Sequence, residues 1–73
     1  RLNIDNLLDR LDDWARTAAD EWKRDNREES IEDVAFDLAG SAEFAFEPDE
    51  WNELLYHFDD DENKLRMYTA ESM

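Results

Sequence analysis

Apolar residues in this chain arrive singly or in runs of no more than three, and they recur every three or four positions. That period belongs to amphipathic helices, each with one face to bury and one to leave in water. One glycine and one proline leave little punctuation for hairpins or long loops. The pattern predicts an all-α protein. It is a small bundle of three main helices, over about 4–24, 31–45 and 48–58, with a short fourth helix or strand near the C-terminus. Seventy-three residues make a single acidic helical domain, residues 1–73, near the lower size limit for a self-sufficient core.

In the first helix Ile4, Leu7, Leu8, Leu11, Trp14, Ala15, Ala18, Ala19 and Trp22 fall within an arc of roughly 140°. Asn3 or Asp5 can cap its start, and the polar run from Lys23 to Glu29 ends it. Asp9, Asp13 and Asp20 lie opposite, beside Arg10, Arg16 and Lys23, as on an ordinary solvated face. Ser30 with Asp33 is a variant capping box that opens the second helix, whose stripe is Ile31, Val34, Ala35, Leu38, Ala39 and Ala42. Gly40-Ser41 is its weak point. The helix can end there, restart at Ser41 or run on to Ala45, and the alternation from Glu43 to Glu47 also admits a short strand. Pro48 suits the first position of the third helix, which buries Trp51, Leu54, Leu55 and Phe58. Asp59-Asp60-Asp61 opposes the dipole at a helix C-terminus, so it should form a loop or cap a short helix over Glu62–Thr69. Alternation of Leu65 and Met67 also allows a strand there, though the helix is favoured.

Charge is distributed unevenly along this framework. The 36 residues between Arg27 and Lys64 hold no base and fourteen carboxylates. Residues 1–27 hold seven acids against six bases, and residues 64–73 one acid against two, so the whole formal charge of −14 lies in the central block. Such a block opposes folding by self-repulsion, which points to a positively charged partner. Nucleic acid and anionic membranes would be repelled, so neither is expected as a direct ligand. Three Trp and four Phe set the chain apart from a disordered acidic tail. Without cysteine there are no disulfides or thiolate metal sites, and the cytoplasm is the expected location. An initial Arg1 in place of Met points to a trimmed chain or a fragment.

Catalysis finds little support. The single histidine, His57, lies on the flank of the third helix with no motif around it. Ser30, Ser41 and Ser72 lack a nucleophile elbow, and there is no glycine-rich phosphate loop. Asp59-x-Asp61-x-Asn63 matches the first ligands of an EF-hand loop, but Lys64 and Ala70 stand where that loop needs Gly and Glu. A non-enzyme without cofactor or dedicated metal site is expected.

Among the block's acids, Glu29, Glu32, Asp33, Asp49 and Glu50 suit helix starts. Asp37, Glu43, Glu47, Glu53, Asp59, Asp60, Asp61 and Glu62 have no such duty and are the candidate partner-binding acids. Phe36 and Phe44 join them. They fall outside the main arc of the second helix, on an i, i+4, i+8 line with Gly40 at its centre. The line is either a second buried face or, if exposed, an apolar anchor among carboxylates that Tyr56 could extend.

In size, acidity and lack of cysteine the chain resembles small DNA-mimicking inhibitors such as phage anti-restriction and anti-CRISPR proteins. The resemblance is one of composition, without a shared motif. It implies an inhibitor that occupies the basic nucleic-acid-binding surface of a nuclease or another nucleic-acid-binding protein. Outward carboxylates three or four positions apart on a helix lie about 5–6 Å apart along it, close to the phosphate spacing along one strand. Two other functions fit the composition. One is an acidic interaction or regulatory module whose basic partner is unrelated to DNA. The other is a salt-adapted domain, which two Lys against six Arg favour and the balanced charge of residues 1–27 disfavours.

Overall fold

The computed structural model describes residues 3–73. Four α-helices follow one another: α1 (Ile4–Asp25), α2 (Ala35–Ala39), α3 (Pro48–His57) and α4 (Glu62–Glu71). Single 3-10 turns, Ile31–Asp33 and Ala42–Ala45, lie before and after α2, and there is no strand among the described residues.

α1 begins where Asn3 Oδ1 accepts the backbone N–H groups of Asp5 at 2.9 Å and Asn6 at 3.4 Å. These are donors that the first turn leaves without helical partners. Leu7, Leu11, Ala15 and Ala19 return every fourth residue and are all buried. At 1.5 Å per residue this helix is about 33 Å long, and it sets the long axis of a rod measuring 42 × 19 × 17 Å. Leu7 and Leu11 meet Ala42, Leu54 and Leu65 in the core, with Trp14, Phe46, Trp51, Phe58 and Tyr68 closing around them. Beyond that cluster, the buried apolar side chains shrink to Ala15, Ala19, Ala35 and Ala39, small enough for helices to approach closely.

The second helix differs from the expected continuous run over 31–45. Ser30 Oγ accepts the Glu32 N–H at 3.3 Å, so the cap is used, but it opens only a 3-10 turn. Val34 then leaves helical geometry at φ −121°, and the chain breaks again after Gly40. The predicted stripe survives both breaks: Ala35, Ala39 and Ala42 are buried and Ile31, Val34 and Leu38 half-buried. The second break lets Ala42 reach the leucine core and turns Phe44 outward. The alternating Glu43–Glu47 segment is not a strand, because residues 42–45 coil into the 3-10 turn.

α3 starts with Pro48 in its first turn, and Glu50 Oε1 accepts the Glu47 N–H at 2.9 Å. It ends at the acid triplet, as expected. Asp59 and Asp60 take left-handed backbone angles, φ 61° and 57°, which Asp tolerates better than most side chains. The Asp60 N–H reaches back to the Leu55 carbonyl at 2.8 Å, closing the helix end. Asp61 then caps α4, its Oδ1 accepting from the N–H groups of Asn63 at 2.9 Å and Lys64 at 3.3 Å. The C-terminal segment is therefore the favoured helix and not the alternative strand. Leu65 and Thr69, one turn apart, bury its inner face. None of the helices is long and apolar enough to cross a membrane among the described residues.

Candidate partner-binding surface

Folding leaves the acid block outside the core. Eleven of its fourteen carboxylate residues are exposed, and Glu50, Glu53 and Asp61 are half-buried. None is fully buried, because an ionised carboxylate removed from water without a partner is costly. Asp59, Asp60, Asp61 and Glu62 line one open concavity with Leu55 and Asn63. Glu62 and Asn63 also line a smaller pocket with Glu43, Trp51, Gly40 and Arg66. The α3–α4 loop is thereby continuous with the turn after α2. Glu47 and Glu53 lie apart from this run: Glu47 precedes α3, and Glu53 shares the flank of Glu50, which faces α1.

Three of the fourteen acids are ion-paired among the described residues, which divides the candidates further. Arg10 of α1 holds Glu50 through both guanidinium nitrogens, NH1–Oε2 at 2.5 Å and NH2–Oε1 at 3.3 Å. This bidentate contact and the Glu47 N–H lower the Glu50 carboxyl below its ordinary range, and the same contact raises Arg10. Lys64 Nζ lies 3.1 Å from Asp59 Oδ2, and the hydrogen bond to that carboxylate raises the ammonium above its ordinary value. Arg66 NH2 lies 3.7 Å from Asp37 Oδ1. The two bases that end the acid-only stretch thus fold back onto it. Asp37 and Asp59 have ion-pair duties that the sequence did not show, and Asp61 takes the capping duty expected of the acid triplet. Of the rest, Glu47 is the N-cap of α3 and Glu62 lies in the first turn of α4, which leaves Glu43, Glu53 and Asp60 as candidates without such a duty.

Arg66 also accounts for the lone glycine. Its Nε donates to the Phe36 carbonyl at 2.5 Å, and its guanidinium lies over the Phe36 ring, 4.2 Å from the centroid. A Cβ on Gly40 would stand 2.9 Å from Arg66 NH2 and 3.0 Å from its Cζ. Gly40 has φ −62°, an ordinary helical angle, so it is open space and not backbone freedom that the site needs. The space that Gly40 leaves between Phe36 and Phe44 is therefore filled by a side chain from α4.

Phe36 and Phe44 are both exposed, at 42% and 84%, so the second-buried-face alternative does not hold. Nor do they form one line, because the break after Gly40 separates them. Phe36 lines a groove of about 480 Å³ with Ile31, Ala35, Met67, Ala70 and Met73, between the α2 region and α4. Phe44 lines another of about 430 Å³ with Phe46, Pro48, Trp51, Asn52 and Glu43. Tyr56 is 74% exposed and stands one turn beyond Asn52 on α3, so it extends the Phe44 side only. Sequence reasoning missed Met67, which is 53% exposed and faces Phe36 across the first groove. Its place two residues after the apolar Leu65 was the available signal, since residues two apart point to different sides of a helix.

His57 is exposed and packs edge-on against Phe58, 5.2 Å between centroids, with no carboxylate partner among the described ion pairs. No group of three or more His, Asp or Glu side chains is arranged to hold a metal ion among the described residues. Comparison with protein families, characterised proteins and solved structures gives no significant match.

Proposed function

We propose that the chain is a non-catalytic inhibitor, acting in the cytoplasm, that occupies the basic nucleic-acid-binding surface of a target protein by mimicking DNA. The observation that carries this reading is the exposure of the acid block, eleven of whose fourteen acids lie in water while three are ion-paired among the described residues. A rod 42 Å long corresponds to about 12 base pairs of duplex. Duplex of that length carries about 25 phosphate charges, against a formal −14 here. A receptor built to neutralise phosphates would therefore meet a comparable, sparser field. α2 is only five residues long, so the reading rests on coverage and not on a regular row of carboxylates along one helix.

The test is competition. Duplex DNA should displace the protein from its receptor, and binding should weaken steeply between 50 and 200 mM salt, roughly as DNA binding itself does. Charge reversal at Glu43, Glu47 and Glu62 should slow association more than matched reversal at Asp9, Asp13 and Asp20. Equal slowing by both sets would mean that net charge matters and the block does not. The alternative, a module for a basic partner unrelated to DNA, draws support from the two exposed apolar grooves, which a pure phosphate mimic does not need. Under that alternative the receptor is unaffected by DNA.

A further inference from the structure

The groove between the α2 region and α4 gathers large apolar side chains left in water on both of its walls. Phe36 and Met67 are 42% and 53% exposed on its two walls, and Ile31, Ala35, Ala70 and Met73 form the rest of its apolar lining. Glu32 and Glu71 supply its carboxylates, one from each wall. Arg66 closes one end by covering the Phe36 ring, and its charge is taken up by Asp37 and the Phe36 carbonyl. The result is an apolar trough with negative edges, and exposed apolar area of this kind marks an interaction site.

We infer that this groove docks a cationic amphipathic helix from a partner protein. Charge decides among the occupants. A second copy would bring one −14 surface against another, and an anionic membrane would be repelled in the same way. A helix with Lys or Arg flanking an apolar stripe places cations against Glu32 and Glu71 while its stripe covers Phe36 and Met67. The size also fits. α4 spans ten residues, about 15 Å, which matches an occupant of three turns with anchors at i, i+3 or i+4, and i+7. Methionine lines the trough at Met67 and Met73, and its flexible thioether side chain adapts to irregular apolar anchors. The inference rests on the partner being basic, not on its being a nucleic-acid-binding protein.

The experiment titrates the protein, with its methionine methyls ¹³C-labelled, with a short helical peptide of Leu and Lys in amphipathic order. Two control peptides accompany it, one with the same residues scrambled and one with Glu in place of Lys. Shifts at the Met67 and Met73 methyls with the amphipathic Lys peptide are expected. Binding at least tenfold weaker is expected for both controls, and a similar loss for Met67→Lys. Because Met67 is exposed, that variant should retain its helical circular dichroism, and Asp20→Asn, on the solvated face of α1, serves as a charge-altered control that keeps binding. Equal binding by the scrambled peptide would reduce the effect to net charge and overturn the inference. Equal binding by the Glu peptide would make the groove an unselective apolar patch and overturn it also. Unshifted methyls, or a concentration-dependent dimer that Met67→Lys abolishes, would do the same. DNA competition at the receptor addresses the mimicry proposal separately, so either reading can fail alone.

Discussion

Gly40→Ala should destabilise this protein, and should become stabilising once Arg66 is removed. In most helical surroundings that substitution gains about 0.5–1 kcal/mol, because alanine loses less freedom on folding. Gly40 has φ −62°, which alanine adopts without strain, so this gain is available. Against it stands the new Cβ, 2.9 Å from Arg66 NH2 and 3.0 Å from its Cζ. The guanidinium would have to withdraw from the Phe36 ring and from the Phe36 carbonyl. A charged hydrogen bond contributes about 1.5–3 kcal/mol when well buried, and nearer 1 when half exposed as here. The stacking adds about 0.5–1 kcal/mol. Arg66→Ala should therefore cost about 1.5–2 kcal/mol, and Gly40→Ala alone about 1 kcal/mol net. In the Arg66→Ala background the same change should gain about 0.5–1 kcal/mol. The Asp37 carbonyl, 3.2 Å from the new Cβ, is present in both backgrounds and cancels. Urea unfolding of the four proteins, followed by tryptophan fluorescence, yields the coupling, expected at about 1.5–2 kcal/mol. If Gly40→Ala has the same sign and size in both backgrounds, the Arg66 latch does not restrain the α2–α4 contact.

Asp60→Gly should raise stability by about 0.5–1 kcal/mol, since glycine adopts φ 57° freely and removes a charge that opposes the α3 dipole; an unchanged melting temperature would show that no strain is held there. Asp59→Gly should gain less, because it also removes the carboxylate held by Lys64. Leu54→Ala, at a residue with no exposure, should cost about 2–5 kcal/mol, enough to populate the unfolded state of so small a domain at room temperature. A cooperative melt above 50 °C for that variant would place the core elsewhere. The lowered Glu50 carboxyl stabilises the fold above its unfolded value, near the ordinary 4.5, and this contribution is lost as pH falls through the folded value. Glu50→Gln should therefore flatten the dependence of the urea midpoint on pH below about 4.5, whereas an unchanged acid limb would leave the Arg10 contact without effect on folding.

Local pattern made much of this fold legible. The α1 stripe, the Asn3 cap, Pro48 at the start of α3 and the acid triplet at its end are all written within a turn or two of where they act. The interruption of 31–45 is less visible because its causes are distant. Gly40 is needed by Arg66, 26 positions later, and Ala42 is drawn to leucines on three other helices. Periodicity put Phe36 and Phe44 outside the stripe but left open whether a second buried face or solvent would receive them. Their separation depends on the break, and no helical wheel contains it. Among the acids, the gap was evident from composition, but the residues that partly fill it were not. Arg10, Lys64 and Arg66 return to Glu50, Asp59 and Asp37 through tertiary contacts, and this narrows the acids left for a partner.

The central claim is that this acid surface takes the place of nucleic acid on a basic receptor. Its most direct test is to load the immobilised protein from host lysate, then elute with short duplex DNA at constant ionic strength. The account predicts that DNA releases a nucleic-acid-binding protein that a charge-reversed Glu43, Glu47 and Glu62 variant fails to capture. Retention of every captured protein in saturating DNA would contradict it.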